Sequence, residues 1–209
     1  MVSHLLDIDE ALANKVGAAL GLKAMPKPAD AARPTRRDIA PSPALSIVEK
    51  GPQRFEGRKL GILVTDGTDA AILKALIAAI TNEGPTFEII APRVGGAKAS
   101  DGSLIEADQM IDGGPSVLYD AVALLPAAAA MDNLLRESTA RDFLADAFAH
   151  CKFIGYVEAT TPLFRKAGVE DSEIDEGCVS LKSSKEVAGF VGKLGKLRVW
   201  ERELRVRKH

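Results

Sequence analysis

The sequence predicts an α/β fold in which an open, doubly wound parallel sheet carries helices on both of its faces. From residue 58 onward, short apolar runs typical of buried strands alternate with patterns typical of amphipathic helices. Residues 152–168 repeat this order once more, with an apolar stretch, a polar turn and a second apolar pattern that ends at Gly168. We expect three segments: an N-terminal helix over 1–22, an extended Pro-rich arm over 23–57, and the α/β domain over 58–209.

Composition favours one hydrophobic core in a soluble, cytoplasmic protein. The 209 residues are 46% hydrophobic and carry a formal net charge of -2, which gives no overall attraction to nucleic acid or to an anionic membrane. Two cysteines cannot build a disulfide framework, so a reducing compartment is the default. We expect no signal peptide, and no apolar run approaches the ~20 residues that a membrane span needs.

The first segment predicts a single amphipathic helix over residues 7–21. Asp7 can cap this helix, with Glu10 completing a capping box, and Gly21 suits the left-handed position that follows a helix. An apolar stripe recurs every four residues, at Ile8, Leu12, Val16 and Leu20.

The arm is expected to run extended, without helix or strand. Six of the eleven prolines of the chain lie between Pro26 and Pro52. Its one apolar island, residues 44–48, could dock on a neighbouring surface.

The α/β domain is expected to open with a parallel strand-helix-strand unit and to continue in the same order. The glycine-rich stretch 93–115 contains Asp101-Gly102, a hairpin signal, between short strands at 97–99 and 104–107. The other expected strands cover 58–64, 87–92, 121–125, 152–157 and 178–181, and the expected helices 70–82, 139–149 with a Ser138 or Thr139 cap, 160–167, and 187–194.

The turn after the first strand, residues 65–69, is a weak candidate for a phosphate site. Thr65, Gly67 and Thr68 offer hydroxyls and backbone N–H groups. Because Asp66 and Asp69 would repel an anion, capping of the following helix by Thr68 or Asp69 is favoured.

The remaining polar candidates all have structural interpretations. Cys151 lies at the entry of its strand, opposite the ligand crevice, and Cys178 opens another strand, so buried structural thiols are favoured. His150 ends a helix, where it can meet free carbonyls. The last fourteen residues carry six basic and two acidic side chains, and Trp200 is their only aromatic residue. Residues 58–195 carry 13 basic and 20 acidic side chains, so pairing of the tail with this acidic part is favoured over nucleic-acid binding.

Several long runs of the sequence resemble the C-terminal domain of large-subunit haem catalases. These runs are residues 58–67, 94–102, 112–122 and 145–155. Met1–Leu22 is similar to the closing helix of the catalase helical region, and the linker that follows that helix resembles residues 34–38 and 41–46. The resemblance implies a flavodoxin-like domain of the class I glutamine-amidotransferase-like superfamily, appended to a tetrameric enzyme that decomposes hydrogen peroxide.

The turn after residue 157 decides whether such a domain is itself an enzyme. The resemblance implies that catalytic relatives in the superfamily carry a nucleophilic Cys there. Counting back from Gly168 puts this position on Glu158, and counting back from Pro162 puts it on Ala159. The acidic partner would fall near the apolar Ile72. We therefore expect no catalytic residue and a vestigial elbow.

No haem site is expected in this chain. A catalase needs a proximal Tyr supported by an Arg, a distal His and an Asn. The two tyrosines, Tyr119 and Tyr156, have Pro115 and Lys152 four residues before them. The three histidines lie in no pocket-like context: His4, His150 and His209. Haem is expected only in the parent catalase, and no metal here.

These observations favour a non-catalytic accessory domain. Its expected partners are the haem domain of the parent, a second copy in a homo-oligomer, and unfolding proteins held in a chaperone-like way. Two alternatives stay open: a small hydrolase or deglycase that uses Glu158, and a nucleotide-binding flavodoxin-like module.

Overall fold

The computed structural model describes residues 1–36, 38–51, 53–84 and 86–206. Outside the described residues lie Arg37 and Pro52 of the predicted arm, Pro85, and residues 207–209, which belong to the predicted basic tail and include His209. The chain divides into two compact units, with the boundary between Lys50 and Gly51. Within the described ranges, no helix is both long and apolar enough to cross a membrane.

The N-terminal segment, residues 1–22, contains two helices where one was predicted. Helix α1 covers Val2–Leu5 and α2 covers Glu10–Ala19. The predicted Asp7 cap is wrong: Asp9 caps α2, its Oδ1 atom accepting a hydrogen bond from the Leu12 amide at 2.8 Å. The left-handed conformation of Gly21 is confirmed, with φ at 69°. Three members of the predicted stripe are exposed, namely Ile8 at 67%, Leu12 at 44% and Leu20 at 61%.

The apolar island of the arm is helical, so the prediction of a wholly extended arm is wrong there. Pro43–Leu45 form one 3-10 turn, and helix α3 covers Ile47–Lys50. The Ser46 hydroxyl accepts a hydrogen bond from the Glu49 amide at 3.2 Å, as a helix cap does. No proline lies between Ala44 and Gly51, so nothing blocks a short helix there.

The second unit is built on a parallel sheet, as predicted, and the sheet has six strands where five were expected. Its strands are β1 (Lys59–Val64), β2 (Thr86–Ala91), β5 (Gln109–Met110), β6 (Ala121–Leu125), β7 (Ile154–Tyr156) and β8 (Cys178–Ser180), in the order β5-β2-β1-β6-β7-β8. The predicted hairpin is confirmed as β3 (Ala97–Lys98) paired antiparallel with β4 (Leu104–Ile105). Edge strand β5 was not predicted. Without it, the order β2-β1-β6-β7-β8 is the flavodoxin-like one.

Helices cover both faces of this sheet. They are α4 (Ala70–Glu83), α5 (Met131–Leu134), α6 (Ser138–Ala149), α7 (Thr161–Lys166), α8 (Ser184–Lys193) and α9 (Glu203–Val206). On one face, α4 and α8 pack with Ile62 and Val64 in one hydrophobic core. On the other face, α6 and α7 pack with Leu63 and Leu124 in a second core. Because strand side chains alternate, β1 contributes to both cores.

Three helix starts differ in how well the sequence predicted them. Asp69, one of two predicted caps of α4, accepts hydrogen bonds from the Ala71 and Ile72 amides at 2.8 and 2.9 Å. Helix α8 begins three residues before the predicted start, because Ser183 and Glu186 form a capping box. The Ser138 or Thr139 cap of α6 is wrong, since the helix follows Glu137 and no side chain caps it.

Candidate functional site

The elbow predicted as the candidate site follows strand β7. Residues Glu158–Thr160 form one 3-10 turn, and α7 begins at Thr161 with Pro162 in its first turn, as predicted. The turn is held internally: the Thr160 amide donates to the Val157 carbonyl at 2.9 Å, and the Thr161 hydroxyl donates to the Glu158 carbonyl at 2.8 Å.

Neither elbow candidate has the backbone that presents a nucleophile. A nucleophile elbow holds its residue in a sharp, strained turn. Among the described non-glycine residues, only Cys151 and Leu197 have positive φ. Glu158 and Ala159 therefore lie in an ordinary turn, without stored strain.

The Glu158 carboxylate is exposed at an open cleft of about 620 Å³. The other lining residues are Ala128, Met131, Ala159, Thr161 and Pro162. None of these is basic or a strong nucleophile, so the carboxylate has no partner in the cleft for proton transfer or acyl transfer. Ile72, the position of the missing acidic partner, is 6% exposed and packs in the core as predicted.

The second candidate lies at the switch point between β1 and β6, where such sheets usually bind ligands. Both threonine hydroxyls there bond within the protein. The Thr65 hydroxyl accepts from the Ala127 amide at 2.9 Å, while Thr68 accepts from the Thr65 amide at 3.0 Å and donates to the Leu125 carbonyl at 2.7 Å. These bonds join the two strand ends and leave neither hydroxyl facing a phosphate.

Asp66 adds a fixed negative charge at the same place. Its carboxylate accepts from the Lys98 amide at 2.8 Å and pairs with Arg93. The Lys98 hydrogen bond and the Arg93 charge lower the pKa of Asp66 although burial opposes them, so it is ionised at neutral pH. Because its charge offsets that of Arg93, the pair as a whole gives a phosphate at the turn little attraction.

The two tyrosines are not placed as haem ligands. Tyr119 is 2% exposed, its hydroxyl donates to Glu88 at 2.9 Å, and its ring lies so close to Gly61 that an added Cβ would be 2.5 Å away. Burial first, and then the Glu88 carboxylate, raises the pKa of Tyr119. An iron-bound tyrosine loses its proton, so this site opposes ligation. Tyr156 packs edge-on against Phe164 at 5.0 Å between ring centroids. The residues of the described ranges do not fit a haem.

The histidines offer no metal site in the part of the chain that the structure describes. His150 is the C-terminal cap residue of α6, as predicted, and His4 lies in the last turn of α1. No group of three or more His, Cys, Asp or Glu side chains in the described ranges could hold a metal ion.

Both cysteines are free and buried, as predicted. Burial raises the pKa of Cys151, and it raises that of Cys178 to about 12. Since the thiolate is the reactive form, neither is an activated nucleophile. Cys151 closes α6 in the left-handed conformation, at φ 56°. Its amide bonds to the Phe148 carbonyl and the Lys152 amide to the Ala147 carbonyl, both at 3.0 Å, which is a Schellman motif.

Sequence reasoning missed two buried cations, Arg202 and Lys152. The Arg202 guanidinium forms a fork with the Asp175 carboxylate at 2.8 and 2.7 Å, donates to the Lys152 carbonyl at 2.8 Å, and lies 4.3 Å from the Phe148 ring centroid. Arg198 Nη1 donates to the Asp120 carbonyl at 2.9 Å. The prediction that the basic tail pairs with the domain is confirmed for both arginines. No sequence signal separates Arg202 from its exposed neighbours.

Lys152 is 2% exposed, and its Nζ donates to the Ser116 carbonyl at 2.5 Å. Burial, assisted by the charge of Arg198, lowers the pKa of Lys152 to about 8. Its position beside the apolar run of β7 is the one signal that could have indicated burial.

A family model for the C-terminal domain found in long catalases matches residues 56–203. This chain belongs to that family. The sequence resemblance to large-subunit catalases is therefore confirmed, together with the α/β fold that it implied.

The curated relatives are catalases of greater length. "Catalase C" of Rhizobium meliloti (strain 1021) is 62% identical over 203 residues, which are 97% of this chain and 29% of that protein. "Catalase HPII" of Pseudomonas putida is 32% identical over 200 residues, 95% of this chain and 27% of that protein. "Catalase HPII" of Mycobacterium avium is 30% identical over 217 residues, which cover 97% of this chain and 30% of that protein. The chain thus spans less than a third of the length of these relatives.

Proposed function

We propose that this chain is a non-catalytic accessory domain of a large-subunit haem catalase, whose separate haem domain decomposes hydrogen peroxide. The unstrained elbow at Glu158 carries this proposal. At the position where a superfamily enzyme presents its nucleophile, the chain has an exposed carboxylate without an acid, base or nucleophile beside it. The domain would act through its surfaces, by supporting the stability or assembly of the parent or access to its haem.

The segments that precede the domain suggest how it is joined to its partner. Residues 1–22 would be the last helical part of the haem domain, residues 23–57 the linker, and residues 58–209 the accessory domain. Three exposed apolar side chains belong to α2 and its two ends: Ile8 precedes the helix, Leu12 lies in it, and Leu20 follows it. Burial of such side chains is favourable, so they would pack against the haem domain in the parent.

As an isolated chain, the protein would be a homo-oligomer, most simply a dimer, with a chaperone-like capacity to hold unfolding proteins. The same exposed side chains support this, because apolar side chains without their partner favour contact with other apolar surfaces.

A small hydrolase or deglycase is the second candidate, and the exposed Glu158 carboxylate in its cleft is the observation that favours it. The test compares turnover of ester and glyoxal substrates by the chain, by Glu158→Gln, and by Glu201→Gln as an exposed control. The accessory role predicts rates at the uncatalysed background for all three. A turnover that is lost only in Glu158→Gln would overturn the proposal.

A nucleotide-binding module would instead be revealed by a chromophore that copurifies with the chain.

A further inference from the structure

The cleft beside the switch point, distinct from the elbow, has the features of a small-molecule site. It encloses about 360 Å³, within the usual range of about 300–1,000 Å³ for ligand pockets. Its walls come from the loop after β1, the loop after β2 and the segment after β6. These three strands are neighbours in the sheet, and their carboxyl ends meet where an open α/β sheet binds ligands.

Three of the residues that line this cleft are buried, and two of them are apolar. Thr65, Ala97 and Leu134 line it with at most 3% exposure each. The loop of Gly96 can approach strand β4 only because glycine has no Cβ: its φ is 81°, and an added Cβ would collide with the Ile105 carbonyl oxygen. The shape of the cleft is therefore preformed.

The wall formed by the loop after β2 carries the hydrogen-bond donors of Arg93, whose positive charge is balanced by a carboxylate. Arg93 pairs with Asp66, and the second oxygen of that carboxylate accepts from the Lys98 amide. A guanidinium has five N–H donors, so Arg93 retains donors for an anionic group after pairing. The Arg93–Asp66 pair is neutral as a whole, which weakens its attraction for a bare anion.

The part of the lining that follows β6 carries the exposed polar side chains of Asn133 and Glu137. Neither makes a side-chain hydrogen bond or ion pair with any residue of the described ranges. Glu137 immediately precedes α6 but does not cap it. The Glu137 carboxylate gives the lining a net negative charge, which favours an ammonium group.

We propose that this cleft binds a small zwitterion, a free α-amino acid, with its ammonium group on Glu137 and its carboxylate on Arg93 and Asn133. The buried Ala97 and Leu134 would contact the aliphatic side chain. Such binding is independent of the accessory role proposed above, since the cleft lies wholly within the α/β unit.

The test is a titration of the ¹⁵N-labelled chain, followed through its backbone amide resonances, with three probes of similar size. L-2-Aminobutyrate has both charged groups, butyrate only the carboxylate, and propylamine only the ammonium. We expect saturable shifts of cleft amides such as Gly96, Ala97 and Leu134 with the amino acid, at an affinity about tenfold above that of either single-charge probe.

Glu137→Gln should weaken amino-acid binding about tenfold, since it removes the charge but keeps the size. Glu201→Gln, an exposed position in the C-terminal 3-10 turn, should bind as the parent chain does. Unchanged amide resonances away from residue 137 would show that the variant is folded. Equal binding by Glu137→Gln, equal binding of butyrate or propylamine, shifts confined to the elbow cleft, or no shift with any probe would each overturn the proposal.

Discussion

At the scale of single residues, the guanidinium of Arg202 connects the C-terminal 3-10 turn to the rest of the second unit. Its side chain is 0% exposed, and its partner Asp175 is 12% exposed. Hydrogen bonds to Asp175, to backbone carbonyls and contact with Phe148 together replace the water that the charge has lost. Gly177 makes room for this group, because an added Cβ would lie 2.8 Å from the guanidinium.

Replacing Arg202 by Met should lower the free energy of unfolding by about 3–5 kcal/mol, because Asp175 would then be left buried and unpaired. The measurement is urea denaturation followed by circular dichroism. Arg165→Met is the matched control: the Arg165–Asp171 pair is 60% and 59% exposed, so its loss should cost less than about 1 kcal/mol. Equal losses for the two variants would contradict the structural role of Arg202.

Lys152 should make stability depend on pH in the alkaline range. The pKa of Lys152 is lowered to about 8 in the folded chain, and it is about 10.4 for an unfolded one. Between these values the unfolded state binds more protons, so the contribution of Lys152 to stability rises with pH and is complete only above the unfolded pKa. The raised pKa of Cys178 acts in the opposite direction from about pH 8.5 upward, so a difference measurement is needed.

The difference is taken between the parent chain and Lys152→Met. The stability of the parent relative to the variant should increase by on the order of 1–3 kcal/mol from about pH 7.5 to 10. The exposed Lys185→Met should show no such trend. If the relative stability of Lys152→Met did not change with pH, the lysine would not be held in a burial that lowers its pKa.

Cys151 allows its backbone and its side chain to be tested separately. Cys151→Ala should cost on the order of 1 kcal/mol through the small cavity that it opens. Cys151→Gly should be more stable than Cys151→Ala by about 1 kcal/mol, because position 151 has a left-handed backbone. Gly168→Ala is the converse control. It should lower stability through the backbone alone, because φ there is 82° and nothing lies within 4 Å of an added Cβ. Thermal unfolding of the three variants gives the comparison, and a Gly variant less stable than the Ala variant would contradict it.

At the scale of elements, the sequence predicted the strands and helices of the α/β unit well because their signals are long and local. The apolar run of β1 and the Asp101-Gly102 hairpin turn are examples. Strand β5 has only two residues and lies within the glycine-rich stretch 93–115, from which it pairs with β2. A strand this short shows no hydrophobic periodicity that could indicate it. The sequence predicts Asp7 as the cap because Glu10 lies three residues after it, but the helix begins only at Glu10 and Asp9 caps it.

Part of the candidate site was equally predictable. The elbow residues and the burial of both cysteines follow from strand and helix boundaries, which local sequence determines. The buried roles of Arg202 and Lys152 depend on partners tens of residues away, Asp175 and Ser116, which a single sequence does not bring together.

The exposed apolar side chains of Ile8, Leu12 and Leu20 should control self-association. Removing residues 1–50 should leave a folded α/β unit but weaken both oligomerisation and the suppression of aggregation of a heat-denatured client protein. The cut is placed at residue 50 because Phe55 is 4% exposed and packs in the core. Light scattering after size exclusion gives the first result and turbidity the second.

A full-length variant with Ile8→Gln, Leu12→Gln and Leu20→Gln is the control for chain length. It should behave as the deletion does, because only the apolar surface has changed. If both variants kept the oligomeric state and the aggregation suppression of the parent, the contact surface would have to lie on the α/β unit.

At the scale of the whole molecule, the central claim is that this chain serves a haem catalase without being one. Membership in the family of C-terminal domains of long catalases supports the first half. For the second half, the support is the placement of two residues: the Tyr119 hydroxyl donates to Glu88, and Tyr156 packs edge-on against Phe164.

The most direct test is to incubate the purified 209-residue chain with haem, remove unbound haem by gel filtration, and then record the Soret band and the oxygen released from hydrogen peroxide. The accessory role predicts no Soret band that stays with the protein and oxygen release equal to that of a buffer control. A retained Soret band together with oxygen release above that control would contradict it.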